Sequence, residues 1–143
     1  MLSAAVSAGV KLPKKVASAR GSVVSVLTYT SGMLIGNGTA VFVSGGGNLI
    51  GPCSLMYGAD SVVVIDSKGK ARSVQGIVGL DEMYDCVRVR VEADKKISHL
   101  QVSSAPVSVG DELYMLSYGK KNSGEVRRVK VSAVDSLYSH AYY

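Results

Sequence analysis

The chain has 143 residues, 47% of them hydrophobic and 19% charged, with 16 Lys and Arg against 11 Asp and Glu for a formal net charge of +5. Such a composition builds one ordinary domain with its own core and excludes a disordered tail, and the mild basicity does not by itself call for nucleic acid. Two Cys exclude a disulfide-rich scaffold and a cysteine-built four-ligand zinc site, two His limit metal and triad chemistry, and no apolar run is long enough for a membrane-spanning helix.

Residues 1–10 (MLSAAVSAGV) are small and apolar, with Lys11, Lys14 and Lys15 behind them. A secretory signal puts its positive charges first, so only the end of such a pattern is visible. The segment reads as the remnant of a signal or as a frayed terminus, and residues 1–20 as a tail carrying a short helix over 11–20. From Ser22 onward the chain reads as strands at intervals of about 8 to 12 residues. The spans are 22–30, 38–44, 48–52, 61–67, 71–80, 85–92, 111–119 and 125–137. SGGGN (44–48), SKGK (67–70) and KKNSG (120–124) are turn sequences, because Gly and Asn accept positive φ. In VRVRV (87–91) the Val side chains face one way and Arg88 and Arg90 the other. Short, evenly spaced, half-buried strands predict an all-β antiparallel barrel or sandwich. Periodicity assigns no function.

The order of segments between 22 and 119 resembles the first barrel of trypsin-like serine peptidases, most closely the bacterial HtrA-type branch. Gly36-Asn37-Gly38-Thr39-Ala40-Val41-Phe42-Val43 is similar to that family's Gly-rich hairpin, and Asn48 to Asp60 to the segment that carries the catalytic His. SVVVIDSKGKARSVQGIVG follows as the strand pair. Asp81-Glu82-Met83-Tyr84-Asp85-Cys86-Val87 is similar to the stretch of the catalytic Asp, and Val109 to Gly119 to the strand that opens the crossing into the second barrel. The resemblance implies an antiparallel six-stranded trypsin-like barrel over 21–119 and the start of a second barrel over 120–143. More narrowly, the chain resembles Bacteroidetes trypsin-like domain proteins that carry tetratricopeptide repeats.

The resemblance departs from the family at the base. Ser54 stands at the catalytic His position, Asp85 matches the catalytic Asp, and the family's nucleophile motif has no counterpart within the chain. Acyl transfer needs a nucleophile, a base within hydrogen-bond reach and a group that orients the base. A Ser hydroxyl cannot serve as that base near neutral pH. Asp85 then reads as a strand-end carboxylate that accepts backbone N–H bonds or pairs with a cation. Ser54, Asp85 and His99 follow the residue order of an α/β-hydrolase triad, but GPCSLMYG lacks the required elbow motif. The Asn-Ser-Gly of KKNSGE (120–125) reads as a turn.

Cys53 and Cys86 flank the two matching positions and read as small buried hydrophobes or as a disulfide. His140 with Tyr138, Tyr142 and Tyr143 forms an aromatic cluster that would face a partner barrel or serve as an exposed peptide-binding edge. Lys120, Lys121, Arg127, Arg128 and Lys130 read as a solvated charged edge without stacking aromatics, which speaks against nucleic acid. Asn37-Gly38-Thr39 matches the glycosylation sequon.

The expectation is an inactive trypsin-like domain, with no cofactor and no metal, that acts as an interaction or scaffolding module of a larger bacterial protein. It would bind a protein or peptide, pair through an exposed edge as a homodimer, and sit outside the cytoplasm, in the periplasm or at the cell surface. The rivals are part of an active serine endopeptidase whose nucleophile lies beyond the chain, and a β-barrel binding module unrelated to peptidases.

Overall fold

The computed structural model describes residues 2–5, 11–93, 95–118 and 124–134. Strand β1 is Leu2–Ala5, and helix α1 (Lys14–Ala19) runs into a 3-10 turn at Arg20–Ser22. Then come β2 (Val23–Thr30), β3 (Met33–Phe42), β4 (Asn48–Gly51), β5 (Ser61–Ile65), β6 (Ala71–Asp81), β7 (Cys86–Val91), β8 (Glu112–Tyr118) and β9 (Gly124–Val131). Six of them close on themselves in the order β2-β3-β4-β7-β6-β5, each neighbouring pair antiparallel. Closure removes free edges from this barrel.

Alternation fills the barrel. On β7, Val87, Val89 and Val91 are buried while Arg88 and Arg90 are exposed. Val24 and Val26 of β2, Ala40 and Phe42 of β3, Leu49 of β4, Val64 of β5 and Cys53 complete the core cluster. Phe42 is the largest fully buried side chain in this Val-rich interior. The β3–β4 turn comes within touching distance of the end of β7. A Cβ on Gly47 (φ 91°) would lie 2.4 Å from the Val91 carbonyl oxygen, so only Gly fits there.

The chain divides into two compact units. One holds residues 12–102 and 116–125, including the barrel; in it the Tyr118 N–H donates to Thr39 Oγ1 at 2.8 Å. The other holds 1–11, 103–115 and 126–143. Its sheet has the order β1-β9-β8, with Leu2 opposite Val131 and Ala5 opposite Arg128. Val129 and Val131 are buried on one face of β9, and Arg128 pairs with Glu112 on the other.

Several elements differ from the sequence reading, among them β9, which ends at Val131 where residue 137 was expected, and α1, which is shorter than the 11–20 span. Residues 2–5, read as tail, form a strand whose partner lies more than 120 residues away, and no local pattern announces such a pairing. β3 begins at Met33, where residue 38 was expected, because the β2–β3 ladder runs out to Thr30–Met33 through a bulge at Thr28/Tyr29. The exposed Met33, Leu34 and Ile35 carry no burial period. The cluster of His140 with Tyr138, Tyr142 and Tyr143, as well as Lys120 and Lys121, lies outside the described residues.

Candidate functional site at one end of the barrel

Two loops at one end of the barrel meet. After β4, Pro52 leads into a 3-10 turn, Cys53–Met56, which carries Ser54. After β6, a turn over 82–85 ends on Asp85 in the left-handed region, φ 51°. Asp tolerates that region better than most residues. The backbones are tied by a Cys53 N–H bond to the Asp85 carbonyl at 3.3 Å. Leu55 anchors the 3-10 turn to the barrel wall. Cβ atoms built on Gly36 and Gly38, alternate residues of β3, would lie 3.0 and 2.6 Å from its two methyl groups. The glycines of the hairpin therefore leave room for the side chain that holds the site in place.

The structure brings Ser54 and Asp85 together. The Ser54 hydroxyl donates to Asp85 Oδ2 at 2.7 Å, and the Ser54 N–H donates to Oδ1 at 2.6 Å. The Cys53 thiol donates to the same Oδ1 at 3.1 Å. These donors, the Ser54 hydroxyl first, hold the Asp85 carboxyl below the usual carboxylate range. The bond to Asp85 and the desolvation of the buried sulfur push the Cys53 thiol up. Tyr57, absent from the sequence-level candidates, extends the network. Its hydroxyl lies 3.8 Å from Cys53 Sγ and donates to Glu82 Oε1 at 3.3 Å. It is pushed up to about 12, first by its hydrogen bond to Cys53. No local pattern ties Tyr57 to Glu82 across 25 residues; only the fold does.

The chemistry of this arrangement is limited. Asp85 presents an acceptor-only carboxylate already bonded to three donors. A carboxylate below its ordinary range is a weak base, far from the match to working pH that general-base catalysis favours. A protonated Cys53 is a poor nucleophile. His99 is elsewhere: its Nδ1 lies 3.1 Å from the Ile97 carbonyl, on a loop bonded to the β3–β4 turn, at the other end of β4 from Ser54. The three residues of the hydrolase order are thus not assembled. Both thiols are free, Cys53 buried and Cys86 half-buried, so the disulfide alternative is not formed. Asn37 of the sequon is half-buried in β3, opposite Leu27, not on a surface loop. Among the described residues no group of His, Cys, Asp and Glu is placed to hold a metal ion, and no helix is long and apolar enough to cross a membrane.

A closed six-stranded antiparallel barrel with a second small sheet makes this an all-β chain of the trypsin-like fold. The chain is similar to the serine endoprotease from Yersinia pestis, with a TM-score of 0.74 and 18% sequence identity over 89% of this chain and 47% of that one. It therefore spans about half the length of that solved structure, and at this identity the likeness is one of fold. No protein-family model and no curated protein sequence matches the chain.

Proposed function

We propose that the barrel is a trypsin-like domain that has lost its base and serves a larger bacterial protein as a binding module. One observation carries this reading. The hydroxyl of Ser54 donates to Asp85 where the peptidase resemblance puts an imidazole, so the orienting carboxylate has nothing to orient. A hydroxyl in that place donates a proton and takes none up near neutral pH. The remaining network of Cys53, Tyr57 and Glu82 holds two loops together: Cys53 reaches Asp85 and Tyr57 reaches Glu82, while the Cys53–Tyr57 contact links the two within the turn. A location outside the cytoplasm goes with this reading.

The test uses the natural full-length protein, its Asp85→Asn variant and a heat-denatured control. Each is exposed to a fluorophosphonate probe and to an unfolded protein substrate. The expected result is no hydrolysis and no labelling above the control in either form. Labelling or turnover that Asp85→Asn abolishes overturns the proposal and makes the site that of an active endopeptidase.

A further inference from the structure

The end of the barrel opposite Ser54 carries most of the chain's net charge. Three shallow depressions meet there, of about 270, 300 and 470 Å³, and they share Lys70, Arg72, Glu92, Lys95 and Lys96 on their walls. Lys68 and Arg90 line the outer two. Six cations therefore face two carboxylates, Asp66 and Glu92, a local net of +4 where the whole chain has +5. Asp94 lies outside the described residues, and counting it leaves +3. Asp66 is fully engaged: it accepts the N–H groups of Lys68 and Lys70, each at 2.9 Å, and pairs with Arg72 Nε at 3.4 Å. Lys68, Arg90, Lys95 and Lys96 are exposed and have no ion-pair partner among the described residues.

The backbone beneath these cations is fixed. Ile97 N–H donates to the Gly45 carbonyl at 3.1 Å, Val91 N–H to Gly47 at 3.0 Å and Leu100 N–H to Phe42 at 2.9 Å. The stem of Lys96 lies against Gly45, 3.1 Å from where a Cβ would sit. Uncompensated like charges on a rigid frame repel one another and are relieved by an anionic partner. None of the large exposed apolar side chains lines these depressions, and the one aromatic there, Phe42, is buried. Single-stranded nucleic acid would need stacking faces and a membrane surface would reward apolar ones. A row of small connected depressions with separate ammonium groups suits a chain of spaced carboxylates.

We propose that this basic end docks an extended acidic segment, rich in Asp and Glu, of a protein partner. The proposal rests on the reading of the domain as a binding module, and it is tested separately from peptidase activity. The probe is a fluorescein-labelled octaglutamate peptide, titrated with the full chain by anisotropy at low and physiological ionic strength. Saturable binding that weakens with salt is expected, and Lys68→Glu/Lys95→Glu/Lys96→Glu should weaken it tenfold or more. Arg128→Glu, in the other sheet, should leave it within twofold, with circular dichroism confirming that both variants fold. No saturable binding overturns the proposal, as does equal affinity for the triple variant. Tighter binding of a duplex DNA or of vesicles containing anionic lipid than of the peptide also overturns it. The peptidase test in the natural protein can fail while this one succeeds, so the two readings fall independently.

Discussion

Leu55 holds the site to the barrel, and removing it should have a cost that can be worked out. Leu55→Ala deletes three carbons that pack against the core and cover Gly36 and Gly38. At about 0.8 kcal/mol per buried carbon, reduced because Leu55 is only partly buried, the loss is about 2 kcal/mol. For a chain of this size that lowers the melting temperature by about 8 °C, read by differential scanning calorimetry. The second half of the prediction concerns geometry. Gly38→Ala puts a methyl 2.6 Å from a Leu55 methyl. In the native background it should destabilise by about 1 kcal/mol or more through overpacking. In the Leu55→Ala background the clash is gone and the same change should be close to neutral. A double-mutant cycle should therefore show coupling of about 1 kcal/mol. Additive effects within about 0.3 kcal/mol, or a melting shift below about 2 °C for Leu55→Ala alone, would refute the idea that Leu55 is what the glycine hairpin accommodates.

Three further outcomes follow from the same structure. Asp85 is depressed in the folded chain, so its contribution to stability is present above the unfolded carboxylate range, about pH 4, and is lost as pH falls through the lower folded value. The urea midpoint of Asp85→Asn should accordingly lie below that of the native chain at pH 7, and the gap should narrow as pH falls below about 4; a gap unchanged with pH contradicts the assignment. Cys53, buried and raised, should resist iodoacetamide at pH 8 until urea unfolds the barrel, as followed by peptide mass mapping. Phe42→Ala in the barrel core should cost about 3–5 kcal/mol in chemical denaturation, against a small effect for the exposed Met33→Ala.

Much of the barrel is legible in the sequence because its signals are local. The Val87–Val91 alternation and the glycine turns determine faces and reversals without knowledge of partners. The Ser54–Asp85 juxtaposition was accessible only through the peptidase resemblance, since nothing in either loop alone points across 31 residues. The structure then puts the two in hydrogen-bond contact. What remained hidden is long-range or unpatterned. β1 gains its partner from the far end of the chain. The first residues of β3 are apolar yet exposed, so burial gives them no period. Tyr57 and Glu82 join the site through side chains alone. The basic end escaped a linear reading because SKGK (67–70) looks like a solvated turn until the fold sets it beside Lys95, Lys96 and Arg90.

The proposed function rests on one position, Ser54, which the peptidase resemblance places where an imidazole would face Asp85. Replacing it, Ser54→His, should bring a ring nitrogen within reach of the carboxylate. A facing anion favours the imidazolium, so the new ring should titrate above the ordinary value of about 6.5. Nitrogen-15 NMR of the variant, read against the native chain to set aside His99 and His140, measures this directly. A raised pKa that returns toward about 6.5 in Ser54→His/Asp85→Asn is the predicted result. An imidazole that titrates at about 6.5 or below whether or not Asp85 is present would mean that position 54 is not a base position facing its orienting carboxylate.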